Sequence, residues 1–195
     1  MDLLKLKALE KKLFFRSEDV AGLFQIQTKS AHVLLSRYVN KGIFIRLKNN
    51  FYVLANRWES YTREDFYRIG NFLQVPSYFS LLSALSFYEV TTQVPQGFFE
   101  SVCLKRTVSY EVDGVTFNFM KLKNSYYFDF KKKNNIFMAT KEKAFVDSIY
   151  LFSFGKYKLD LTAIDLAKLD MERVNKLIAV FPEKTKKVVR RLCGI

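Results

Sequence analysis

Apolar positions in the first sixty residues fall into a helix, helix, helix, hairpin pattern. Leu3, Leu4, Leu6, Leu9 and Leu13 keep a rough helical period. Ser17 follows as an N-cap, with Glu18 and Asp19 where a helix dipole favours acids, and Val20, Ala21, Leu23 and Phe24 supply the apolar face of a short second helix. Gln25-Ile26-Gln27 reads as a tight turn, and Thr28 is the next cap. From Lys29 to Lys41 the apolar positions are Ala31, Leu34, Leu35, Tyr38 and Val39, the i, i+3, i+4, i+7, i+8 spacing of an amphipathic helix. Gly42 stands where a C′ glycine stops it. The segments 43–47 and 51–54 are rich in β-branched and aromatic residues and flank Lys48-Asn49-Asn50, a turn that asparagine suits. This order predicts a winged helix-turn-helix over residues 1–60.

Beyond it, the pattern predicts a connecting helix within 56–75, capped by Thr62 and ended by Pro76, then an apolar helix from Ser77 to Tyr88. Strands are expected at 101–112 and 115–122 around the Asp113-Gly114 turn, and at 126–130 and 136–139 around Lys131-Lys132-Lys133-Asn134-Asn135. Thr140 should cap a helix carrying Ala144, Phe145, Ile149 and Tyr150, and helical segments near 161–168 and 171–192 close the chain. The fold expected is therefore α+β: an N-terminal winged helix-turn-helix (1–60), a connecting helix (61–75) and a mixed helix and antiparallel-sheet domain (76–195).

Charge sharpens the reading. The 195 residues carry 32 Lys/Arg against 19 Asp/Glu, a net +13, and residues 1–60 hold 11 of the bases and 5 of the acids. An excess of this size points to a polyanionic partner or to solubility alone. On a helical wheel, burial of Ala31, Leu35 and Tyr38 leaves Lys29, Val33, Ser36, Arg37 and Asn40 on the opposite face, with Ser30 and His32 flanking it. In a helix-turn-helix this is the face that enters the major groove. Arg46, Lys48, Asn49 and Asn50 follow in the wing, placed to touch the backbone or minor groove. Those eleven residues are the candidate DNA-binding set. The Lys131–Lys133 run reads as a solvated loop between strands more than as a contact for nucleic acid or an acidic partner, whereas the Lys184, Lys186, Lys187, Arg190, Arg191 run reads equally as a solvated face or as a contact for an anionic partner.

Catalytic and metal chemistry find little support. The sole histidine is His32, and Cys103 and Cys193 stand far apart without ligand neighbours, as reduced thiols would. Asp160, Asp165 and Asp170 recur every five residues, which does not align them on a helix, and Glu142 and Asp147 share that spacing. Phosphate-cradling and nucleophile-elbow motifs are absent. No catalytic residue, metal or cofactor is expected. No apolar run approaches a membrane span, and the N-terminus lacks the h-region of a signal peptide, so the expected address is cytoplasmic, without membrane contact.

Two segments carry a resemblance. Pro76-Ser77-Tyr78-Phe79-Ser80-Leu81-Leu82-Ser83-Ala84-Leu85-Ser86-Phe87-Tyr88, and later Ile136-Phe137-Met138-Ala139-Thr140-Lys141-Glu142-Lys143-Ala144-Phe145-Val146-Asp147-Ser148-Ile149-Tyr150-Leu151, resemble the antitoxins of type IV toxin–antitoxin systems, the abortive-infection AbiEi type. In that family a Pro/Gly-Tyr-x-Ser-x-x-Ser-Ala-Leu helix and an Ala-x-x-Glu-Lys-Ala-x-x-Asp helix occur in this order. The wing departs from the family pattern: many relatives have Arg-Gly-x-Tyr where this chain has Lys48-Asn49-Asn50-Phe51-Tyr52. The resemblance implies an antitoxin and DNA-binding transcriptional autorepressor of a phage-defence operon. Its partners would be the operon's own promoter duplex and a nucleotidyltransferase-like toxin, with no cofactor. The motif residues themselves read as packing positions. The alternative is a stand-alone winged-helix regulator whose second domain senses a ligand or mediates assembly.

Overall fold

The computed structural model describes residues 3–194, with side chains from Leu6 onward; Leu3 and Leu4, part of the first predicted apolar face, have side chains outside the described residues. The first elements are α1 (Leu3–Glu10), α2 (Ser17–Phe24), α3 (Thr28–Asn40), β1 (Phe44–Lys48) and β2 (Phe51–Leu54). Leu6, Leu9, Phe15, Val20, Ala31, Leu35, Tyr38, Phe44, Tyr52 and Leu54 form their common core. α3 ends as expected: Gly42 takes φ +68°, and the Gly42 and Ile43 N–H groups donate to the carbonyls of Val39 and Tyr38. β1 and β2 pair antiparallel, and Asn50 turns the hairpin at φ +60°.

Phe15 adds a third strand position that no sequence pattern signalled. Its N–H and carbonyl each bond Tyr52, both at 2.9 Å, so the segment between α1 and α2 lies along the hairpin. The predicted caps shift by one residue. Ser17 is the first helical residue, and the Arg16 N–H is served instead by Asp19 Oδ2 at 2.8 Å. Thr28 likewise opens α3, with Gln27 as its extended N-cap.

The connecting helix is two helices, α4 (Ala55–Trp58) and α5 (Arg63–Leu73). Thr62 caps α5 as predicted, exchanging hydrogen bonds with Asp65. Contacts divide the chain inside α5: one unit runs to Ile69 and includes Val112–Gly114, and the other takes Gly70–Glu111 and Val115 onward. The expected 61–75 connector is therefore not a separate piece. Within the second unit a Cβ on Gly70 would lie 2.5 Å from Phe79 Cζ, so that position requires glycine.

The second unit adds β3 (Ser77–Phe79), α6 (Leu81–Phe87), β4 (Phe98–Cys103), β5 (Val108–Val112), β6 (Val115–Lys121), β7 (Phe130–Lys133) and β8 (Ile136–Ala139), then α7 (Lys141–Ser153), α8 (Met171–Ile178) and α9 (Glu183–Cys193). The six strands lie in the order β5-β6-β4-β3-β8-β7. The class is α+β, but the sheet is mixed and not purely antiparallel, because β4 runs parallel to β6 and β3 parallel to β8. Ser77–Phe79 was expected to be helical. It is instead a strand held between β4 and β8, buried on both faces, and so shows no alternation to betray it. The expected strand 101–112 is two strands, broken near Leu104–Thr107. Tyr126 closes a short 3-10 turn and is not in a strand.

Lys131–Lys133 lie within edge strand β7, where exposed lysines discourage a further strand, and the loop is only Asn134-Asn135, both at positive φ. The expected 161–168 helix is a pair of 3-10 turns, and 171–192 is two helices broken before Pro182. The five-residue aspartate repeat now has a reason: Asp160, Asp165 and Asp170 each cap a turn, accepting from the N–H of Thr162, Ala167 and Arg173.

Glu100 on β4 is 2% exposed. Burial raises its carboxyl above the ordinary 4.5, against hydrogen bonds from the Tyr157 hydroxyl at 2.7 Å and the Leu82 N–H at 3.3 Å. The folded chain thus keeps this proton to higher pH than the unfolded chain, and stability falls as pH rises through the window just above 4.5. Glu100→Gln is expected to flatten that part of the Tm-versus-pH curve. An unchanged slope would assign it to another group.

Candidate nucleic-acid interface

Sequence dictates which face α3 can show. Ala31 and Leu35 are fully buried and Tyr38 nearly so, which pins one side against α2 and the hairpin. The turn from α2 is tight because Gln25 adopts φ +55° and the Ile26 N–H returns to the Ala21 carbonyl at 3.0 Å. The opposite side of α3 carries Lys29, Ser30, His32, Val33, Ser36, Arg37 and Asn40, all exposed and with no acid among them. The structure thus brings these seven candidates onto one face.

The wing candidates divide. Arg46 and Asn49 are exposed and linked, Arg46 Nη2 donating to Asn49 Oδ1 at 3.2 Å. Lys48 is half-buried, its ammonium 5.0 Å from the Phe51 ring centroid. Asn50 has a different job from the one expected. Its amide oxygen accepts from the Ser17 N–H at 3.0 Å, and its amide nitrogen donates to both Glu18 oxygens at 3.2 Å. The side chain that was to touch DNA is committed to tying the wing turn to the start of α2. Hydrogen bonds from its own backbone N–H and from Asn50 hold the Glu18 carboxyl below its usual range, so this exposed acid stays charged beside the wing.

Arg16 was missed. It is exposed, and its guanidinium lies 4.6 Å from the centroid of the Phe51 ring, which the Lys48 ammonium also approaches. The signal available was only the Phe14-Phe15-Arg16 sequence before α2, which gains meaning once Phe15 is seen to pair with Tyr52. The outward face of α3 and the wing each present donors and positive charge, the groups that phosphate and base-edge contacts require, with the Glu18 carboxylate held against the wing turn.

The family-like segments meet in the second unit. Lys143 and Asp147, four apart on α7, form an ion pair with both side chains at 0% exposure. Asp147 also accepts from Ser80 Oγ at 2.8 Å and the Tyr78 hydroxyl at 3.1 Å. The Lys143 ammonium lies among the rings of Phe128, Phe181 and Tyr78, at 5.1, 5.4 and 5.6 Å. Burial pushes the lysine down and the aspartate up, and each partner opposes the shift of the other. Glu142, also buried, takes an N–H from Asp170 at 3.3 Å and faces Arg173, which pairs with Asp129 at 2.7 Å. Lys143, Asp147, Glu142, Ser80 and Tyr78 are buried, whereas Arg173 and Asp129 are partly exposed, and together these contacts link β3, α6, α7 and α8. Among the described residues no group of three or more His, Cys, Asp or Glu could hold a metal ion, and no helix is long and apolar enough to cross a membrane.

Neither a protein-family model nor a curated protein sequence matches the chain. The fold does have a solved counterpart. It is similar to the crystal structure of the Rv2827c protein from Mycobacterium tuberculosis, with a TM-score of 0.59 at 9% identity, over 94% of this chain and 72% of that one. At that identity the likeness concerns the fold alone.

Proposed function

We propose that the first unit binds duplex DNA through α3 and the wing, and that the chain is the autorepressing antitoxin of a type IV toxin–antitoxin operon. The observation that carries the DNA reading is the acid-free outward face of α3, with Arg46 and Lys48 in the wing and Arg16, from the start of α2, against the wing's Phe51 ring. The antitoxin reading rests on the two resembling segments, supported by their meeting through Lys143, Asp147, Ser80 and Tyr78. The toxin would be a nucleotidyltransferase-like protein encoded next to this chain. The alternative, a stand-alone winged-helix regulator, shares the DNA-binding half. Expressing the neighbouring reading frame with and without this chain separates the two. Growth arrest relieved by the wild type and by an Arg37→Ala variant supports the antitoxin; no arrest, or no relief, favours the stand-alone regulator.

A further inference from the structure

Val33 has no structural reason to be where it is. At 61% it is the most exposed large apolar side chain among the described residues. It sits in the first half of α3, one turn after Lys29 and one turn before Arg37, with Ser30, Ser36 and Asn40 around it. All of these are exposed and polar, so Val33 is the one large apolar side chain exposed on this face of α3. A β-branched residue on a solvated helix face is also a poorer helix former than alanine, so the choice costs stability. What valine offers there is a pair of methyl groups held in one preferred rotamer at the centre of a polar face. The major groove has one feature that calls for such a group, the C5-methyl of thymine, which lies among hydrogen-bonding edges.

Resting on the proposed duplex contact of α3, we infer that Val33 is a specificity-determining residue that reads the C5-methyl of a thymine, with Lys29 and Arg37 contacting the base edges or phosphates on either side. The bound site then contains a thymine at a fixed position whose loss of one methyl is felt only through Val33.

The test uses the full chain and duplexes enriched by it from a random library. Each thymine of the enriched site is replaced in turn by deoxyuridine, which removes the methyl and leaves pairing intact. Wild type is expected to bind about fourfold more weakly at one thymine per bound α3, the effect of burying a single methyl. Val33→Ala should bind the thymine duplex about fourfold more weakly and be indifferent to the substitution. Val33→Ile should keep the sensitivity. Val33→Ala should also melt at or above the wild-type temperature, which separates a recognition role from a folding one. Selective binding with no deoxyuridine effect at any thymine, or an effect that persists in Val33→Ala, overturns the inference and leaves DNA binding standing. Absence of any duplex binding overturns both.

Discussion

Asp147→Ala is expected to destabilise the second unit by about 3–5 kcal/mol, read as a shift of the denaturation midpoint at unchanged slope. The variant strands the Lys143 ammonium at 0% exposure, with the Tyr78 hydroxyl at 2.9 Å and three aromatic faces in place of a counter-ion. Whole domains are stable by only about 5–15 kcal/mol, so this is a large share. Lys143→Met should cost less at low pH. Asp147 keeps its donors Ser80 and Tyr78 and can take up a proton. Its carboxyl, already raised by burial, rises further without the lysine, so the penalty of this variant grows as pH rises above the ordinary 3.8. The double variant Lys143→Met/Asp147→Leu should recover most of the loss, since it leaves no buried charge. Single variants as stable as wild type, or a double variant worse than either, would show that the pair is not the tie between the two segments.

The second large effect is on DNA. Arg37→Ala removes an exposed side chain and no buried contact, so the fold should be unchanged while a groove contact of about 1–3 kcal/mol is lost, together with sequence preference. Lys48→Ala should weaken binding to all duplexes alike and lower the slope of log affinity against log salt by about one. Asn50→Ala should behave differently from both. It unties the Ser17 N–H and the Glu18 carboxylate, so it should lower stability by about 1 kcal/mol and change DNA affinity only through the wing's geometry. Competition between the enriched duplex and a scrambled one, with thermal melts beside it, distinguishes the three. Equal losses of selectivity in Arg37→Ala and Lys48→Ala would contradict the division between groove and backbone contacts.

What the sequence made legible follows from the range of the forces involved. α3 and the hairpin were readable because amphipathic period, a C′ glycine and turn asparagines act within a few residues. The exposed face of α3 followed from the buried one by geometry alone. The Phe15 pairing was not readable, because a single bridged residue has no period. The role of Asn50 depends on Ser17, 33 positions earlier, and nothing local reports it. Ser77–Phe79 failed because a strand buried on both faces lacks the alternation that separates strand from helix. The Lys143–Asp147 pair has a local trace in the sequence, an i, i+4 lysine and aspartate on one helix, but its weight comes from the burial of every residue from Glu142 to Leu151. Charges in so apolar a setting must be paired.

The central claim, that the first unit binds duplex DNA through α3 and the wing, is tested most directly by titrating the full chain against a labelled duplex from immediately upstream of its own gene, at several salt concentrations. Saturable binding is expected, with log affinity falling linearly and steeply with log salt, and a shallower fall with much weaker binding in the Arg37→Ala/Arg46→Ala/Lys48→Ala triple variant. Salt-independent binding, or a triple variant that binds as the wild type does, would contradict it.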